Sequence, residues 1–102
     1  MPEEKGKTVK FEKEKIEKLP NDKPVIYKIL DQNGKNIYTG SAKRNRVRER
    51  IKEHLPGGPN PIHGGSKVQI EQKKAISDAE QSEKRIIARS KPKYNKKGKP
   101  SK

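Results

Sequence analysis

The chain has 102 residues, 25% hydrophobic and 39% charged, enough for one small domain with one compact core. Twenty-seven lysines and arginines against 13 acids give a formal charge of +14, a field that points to a polyanionic partner, nucleic acid first. With no cysteine, disulfides, thiolate zinc sites and cysteine nucleophiles are excluded and a cytoplasmic location is expected; nothing resembles a signal peptide, a spanning segment or a membrane-surface helix, so no membrane partner is expected.

In chain order, residues 1–7 have almost no apolar content and 96–102 none, so both are expected to be disordered tails around one domain at 8–95. In "TVKFEKEKIEKLP" the Ile16/Leu19 spacing predicts a short helix closed by Pro20. "PVIYKILDQNGKNIYTGS" reads as a hairpin turning at Asn33-Gly34, the pair suited to a type I′ turn. Counting outward from that turn sets Tyr27 opposite Gly40 and Tyr38 diagonal to Tyr27 on the same face. Val47, Ile51 and Leu55 then mark the buried stripe of a helix that stops at Pro56-Gly57-Gly58. "PGGPNPIHGGS", with four glycines and three prolines, is expected to be a mobile connector carrying His63. "KVQIEQ" alternates as a third strand, and Ser77-x-x-Glu80 reads as a capping box opening a last helix to about Ser90. The order α, β, β, α, loop, β, α describes an α+β fold: a small three-stranded antiparallel sheet flanked by helices.

Several residues sit oddly in that plan. Glu83 shares a helix face with Ala79, Ile86 and Ile87, where a carboxylate is costly unless an arginine or a metal compensates it. Glu80 is accounted for as the capping residue. Arg50 and His54, four apart, border the stripe of their helix and can point toward the Tyr38 end of the hairpin, although a surface arginine and a satisfied histidine account for them equally well. Tyr27 and Tyr38 are either core phenols with satisfied hydroxyls or a pair converging on one site. Lys43, Arg44, Arg46, Arg48, Lys52, Lys91 and Lys93 form a basic surface suited to phosphate contact, and no acid follows Glu83.

Together these residues resemble the GIY-YIG nuclease superfamily. "VIY" (Val25 to Tyr27) is similar to its first motif, "YTG" (Tyr38 to Gly40) to its second, "RERIKEHL" to the helix carrying its arginine and histidine, and "EKRIIARSKPKYN" (Glu83 to Asn95) to its terminal motif; the resemblance covers about residues 20 to 95. Val25 stands where the first motif has glycine. The stretch from Tyr38 to Arg50 is about two residues longer than in many members, which leaves Arg48 as an alternative to Arg50.

The resemblance implies a metal-dependent endonuclease that hydrolyses phosphodiester bonds, with DNA as the expected partner and a structure-directed or low-specificity role in repair. It implies one divalent ion, Mg²⁺ or Mn²⁺, on Glu83, with Arg50 on the scissile phosphate and Tyr27 or Tyr38 orienting or deprotonating the water. His54 would relay that proton or bind phosphate, and Asn95 would support the site. The alternative is a non-catalytic nucleic-acid-binding module of the same fold, which needs only the cations.

Overall fold

A computed structural model describes residues 6–95. The expected tails lie outside the described residues except for Gly6 and Lys7, which stand in a strand. The order is β1 (Gly6–Lys10), α1 (Lys13–Ile16), β2 (Val25–Leu30), β3 (Asn36–Ala42), α2 (Val47–Lys52), β4 (Lys67–Gln72), α3 (Ile76–Ser90) and a closing 3₁₀ turn (Lys93–Asn95). The sheet has four antiparallel strands in the order β1-β4-β2-β3, so β1 is an edge strand beyond the three expected.

Alternation on β2 builds the two layers. Val25, Tyr27 and Ile29 face a core with Val68 and Ile70 of β4, Ile16 and Leu19 near α1, and Val47 and Ile51 of α2. Ile26 and Ala79, buried outside that cluster, mark the other layer, where α3 lies on β2 and β3. The central strand is therefore apolar on both faces, as a strand covered on both sides must be.

The hairpin differs from expectation at its turn. Only Gly34 has a positive φ there, +85°, whereas a type I′ turn needs two such residues. The Gly34 N–H donates to the Asp31 carbonyl, and the Asp31 carboxylate accepts from the N–H groups of Asn33 and Lys35. This is a type I turn followed by a glycine bulge, held by an aspartate acting as a local acceptor. The pairing beyond the turn keeps Tyr27 opposite Gly40 and Ile29 opposite Tyr38, with the register shift confined to Ile29/Leu30.

Two further expectations are corrected. The residue before α3 is Ala75, in extended backbone with no side-chain cap, so Ser77 and Glu80 lie within the helix and form no capping box. The Gly/Pro segment is not a loose connector. It folds back on the end of α2, where the N–H groups of Asn60 and Ile62 donate to the carbonyls of Glu53 and His54, at 3.0 and 2.9 Å, and it buries Ile62 in the core. Asn21, ahead of β2, performs the cap that α2 itself lacks: its side-chain oxygen accepts from the Val47 and Arg48 N–H groups.

Candidate active site

The hairpin places Tyr27 and Tyr38 on one sheet face with ring centroids 6.2 Å apart. Gly40 makes the approach possible. A Cβ there would lie 2.7 Å from both Cζ and the hydroxyl oxygen of Tyr27 and 3.1 Å from Tyr38 Cε2. The turn after α2 adds His54, whose ring lies 4.6 Å from that of Tyr38 and 5.8 Å from that of Tyr27.

The hydrogen bonds fix the protons. His54 Nδ1 is 2.9 Å from the Asn60 carbonyl, which can only accept, so Nδ1 carries a hydrogen. Burial lowers the His54 pKa, leaving the ring neutral near pH 7 with Nε2 as an acceptor. Tyr27, fully buried, therefore donates its hydroxyl to Nε2 at 2.9 Å. Burial also holds Tyr27 well above the ordinary phenol range, with Tyr38 adding to the rise and Arg50 opposing it. Tyr38 is only half-buried and lines the groove. Burial and the Glu83 charge raise its pKa, while Arg50 and a hydrogen bond with Tyr27 pull it back.

A stability prediction follows from His54. Its unfolded pKa is about 6.5 and its folded pKa is lower, so on acidification the unfolded chain takes up the proton first. The contribution is complete above about pH 6.5 and is lost as pH falls below it toward the folded pKa. Thermal melts from about pH 8 to pH 5 should show this loss in the wild type, and His54→Gln should flatten that part of the curve.

Arg50 stands where two grooves meet. One is lined by Ser41, Lys43, Arg46, Arg50 and Glu80, the other by Tyr38, Arg50, His54, Tyr94 and the Gly/Pro segment. Arg50 is exposed and forms no ion pair among the described residues, so its planar fork is open to an anion. Arg48, the other arginine that spacing offers, donates through Nε to the Leu19 carbonyl at 2.7 Å and lines neither groove.

Glu83, half-buried on α3, accepts a 2.7 Å hydrogen bond from Ser41 Oγ, and its charge is felt at both phenols. No group of three or more potential metal ligands occurs among the described residues. One carboxylate still fits Mg²⁺, which keeps most of its waters and takes a substrate phosphate, and Ser41 occupies only one of the several lone-pair sites of the carboxylate. Asn95 bonds to main chain: its amide oxygen accepts from Thr39 N–H and its amide nitrogen donates to Thr39 C=O, pairing with the free edge of β3 next to Tyr38.

The other basic residues divide. Lys43 and Arg46 line the groove beside Arg50, Arg46 also pairing with Glu49; Arg44 and Lys91 are exposed; Lys52 pairs with Glu17; and Lys93 stands 5.3 Å from the Tyr94 ring centroid. Glu80, read from the sequence as a capping residue, lines the first groove, and Asn60 and Tyr94, given no role there, line the second. Glu80 carried a signal, lying one turn from Glu83 on the same helix. Asn60 acts through its backbone and gave none.

A model of the GIY-YIG catalytic domain matches residues 23–95. The chain belongs to the GIY-YIG family. That match spans the hairpin, α2, β4, α3 and the turn bearing Asn95, so this GIY-YIG domain occupies most of the chain, and β1 and α1 precede the matched segment. Members of the family are generally endonucleases, and nucleic acid is the substrate such a domain implies. No curated protein matches the chain. No helix among the described residues is long and apolar enough to cross a membrane.

Proposed function

We propose that this GIY-YIG domain is a Mg²⁺- or Mn²⁺-dependent endonuclease that hydrolyses phosphodiester bonds in DNA, acting on damaged or branched structures rather than on a recognition sequence. The observation that carries the reading is the convergence of Tyr27, Tyr38 and His54 beside the guanidinium of Arg50, which has no ion-pair partner among the described residues. A protein that only held nucleic acid would need the cations but not a buried tyrosine bonded to a histidine of fixed tautomer.

The division of labour follows from exposure. Tyr38, facing the groove, is the phenol placed to take a proton from water, and Tyr27, sealed behind it, is the relay. Neutral His54 Nε2 accepts the Tyr27 hydroxyl hydrogen and the Tyr27 oxygen can accept from Tyr38, so the chain of hydrogen bonds leaves the Tyr38 lone pairs toward the groove to orient the water. Arg50, which opposes the rise in both phenol pKa values, is the charge that favours an ionised Tyr38. Arg50 offers a forked donor to the phosphate as its charge grows in the transition state, and Lys43 and Arg46 continue that track along the backbone. Glu83 would hold the divalent ion, which when bound supplies Lewis-acid stabilisation of the phosphate and leaving oxygen.

The deciding experiment is a cleavage assay on supercoiled plasmid and on labelled branched DNA with Mg²⁺, Mn²⁺ or EDTA. Cutting that requires the metal supports the reading; binding without cutting in either metal replaces it with the non-catalytic module. Tyr38→Phe, which removes one oxygen and keeps the ring, should lower kcat by about 10²–10⁴-fold with binding affinity intact, as loss of a general base does. A variant cutting at the wild-type rate would assign the water to another group.

A further inference from the structure

The two grooves flanking Arg50 differ in chemistry. The first, about 300 Å³, is walled by Lys43, Arg46 and Arg50 and suits phosphates. The second, about 570 Å³, sets Tyr38, Tyr94, Pro59, Pro61 and Ile62 beside His54, the Glu53 carboxylate and Arg50. A carboxylate, rings and prolines make a poor track for a sugar-phosphate chain beyond the one phosphate Arg50 can take, but an aromatic face is what a nucleobase stacks on, whatever its sequence. The volume lies in the range of pockets that bury a small organic ligand. The wall is also firm, because Ile62 is rooted in the core and the backbone of the segment is bonded to the end of α2.

We infer that the second groove receives one unpaired nucleotide of the substrate beside the bond to be cut, its base stacked on the groove side of Tyr94 and its phosphate on Arg50. This rests on the nuclease reading and narrows its substrate class. A base inside an intact duplex is stacked on both sides and cannot enter such a slot without being extruded, so strands with a flap, a gap, a junction or a single-stranded end are favoured. Lys93 lies over the Tyr94 ring 5.3 Å from its centroid but does not line the groove, so the base meets the side of Tyr94 that does.

The test reads binding and needs no cleavage. In EDTA, fluorescence anisotropy compares a short labelled single strand with an abasic strand of the same length, which carries the same phosphates and charge. The wild type should bind the base-bearing strand about tenfold more tightly, the order expected of one stacked base. That ratio should fall to about one in Tyr94→Leu and persist in Tyr94→Phe. A companion measurement uses no variant: the wild type should bind a duplex carrying one unpaired nucleotide more tightly than the flush duplex. Equal affinities for base-bearing and abasic strands, no preference for the unpaired duplex, or an unchanged ratio in Tyr94→Leu each overturn the inference. A protein that shows the ratio but never cuts overturns the nuclease reading alone; one that cuts with Mg²⁺ yet ignores the base overturns only the stacking.

Discussion

Glu83→Gln should reduce metal-dependent cleavage by about 10³-fold or more, since stabilisation by a bound ion is worth several kcal/mol and each 1.4 kcal/mol is about tenfold in rate. Glutamine keeps the length of the side chain and an oxygen for Ser41 Oγ, so the packing of α3 on β3 is preserved. It removes one negative charge, so salt-sensitive binding should hold or tighten. The same charge raises the pKa of both tyrosines, so removing it makes Tyr38 easier to ionise. An ultraviolet titration of tyrosinate should show that downward shift. Loss of cleavage in a variant whose phenol is the better base would place the defect at the metal. Wild-type cutting by Glu83→Gln, with Mg²⁺ present, would remove Glu83 from the site.

Gly40→Ala is the second large effect, and it acts through packing. The new methyl would sit 2.7 Å from Tyr27 Cζ and hydroxyl, so the buried ring must move. Overpacking of this kind costs about 1–3 kcal/mol. In a domain of this size each kcal/mol lowers Tm by roughly 4–8 °C. Displacing the ring also disturbs its bond to His54 and the neighbouring Tyr38, where a shift of about 1 Å can cost about 10²-fold in rate. Melting and turnover should fall together, and refolded Gly40→Ala measured well below its Tm should still cleave slowly. A variant that melts and cuts like the wild type would mean that the tyrosine pair has room the geometry denies it.

What could be read from residues alone was whatever depends on periodicity. The alternation of Val25, Tyr27 and Ile29 and the spacing of Val47 and Ile51 announce a buried strand and a one-sided helix, and the four-residue step from Arg50 to His54 puts both at one groove. β1 escaped because Val9 is its sole partly covered side chain, so the strand is specified by pairing with β4 rather than by a pattern of its own. The turn type was misread because Asn-Gly propensity competes with the Asp31 carboxylate, which gathers two N–H groups into a different geometry. The capping box failed because the backbone enters helix at Ile76, one residue before Ser77. Least legible was the anchoring of His54, since its partner is a main-chain carbonyl of a Gly/Pro segment and any residue supplies one.

The pairing of Asn95 with Thr39 bears on solution behaviour as well as on shape. A sheet normally invites another chain at an open border, and β3, which carries Tyr38, is such a border. One carboxamide occupies the donor and acceptor of Thr39 that an incoming strand would seek. The opposite border is guarded differently, by Lys7 and Lys10 on β1, whose charges discourage a second copy from docking. The sheet thus has one border stoppered at Thr39, beside Tyr38, and one border lined with charge, two different ways of making an open edge unattractive to another strand.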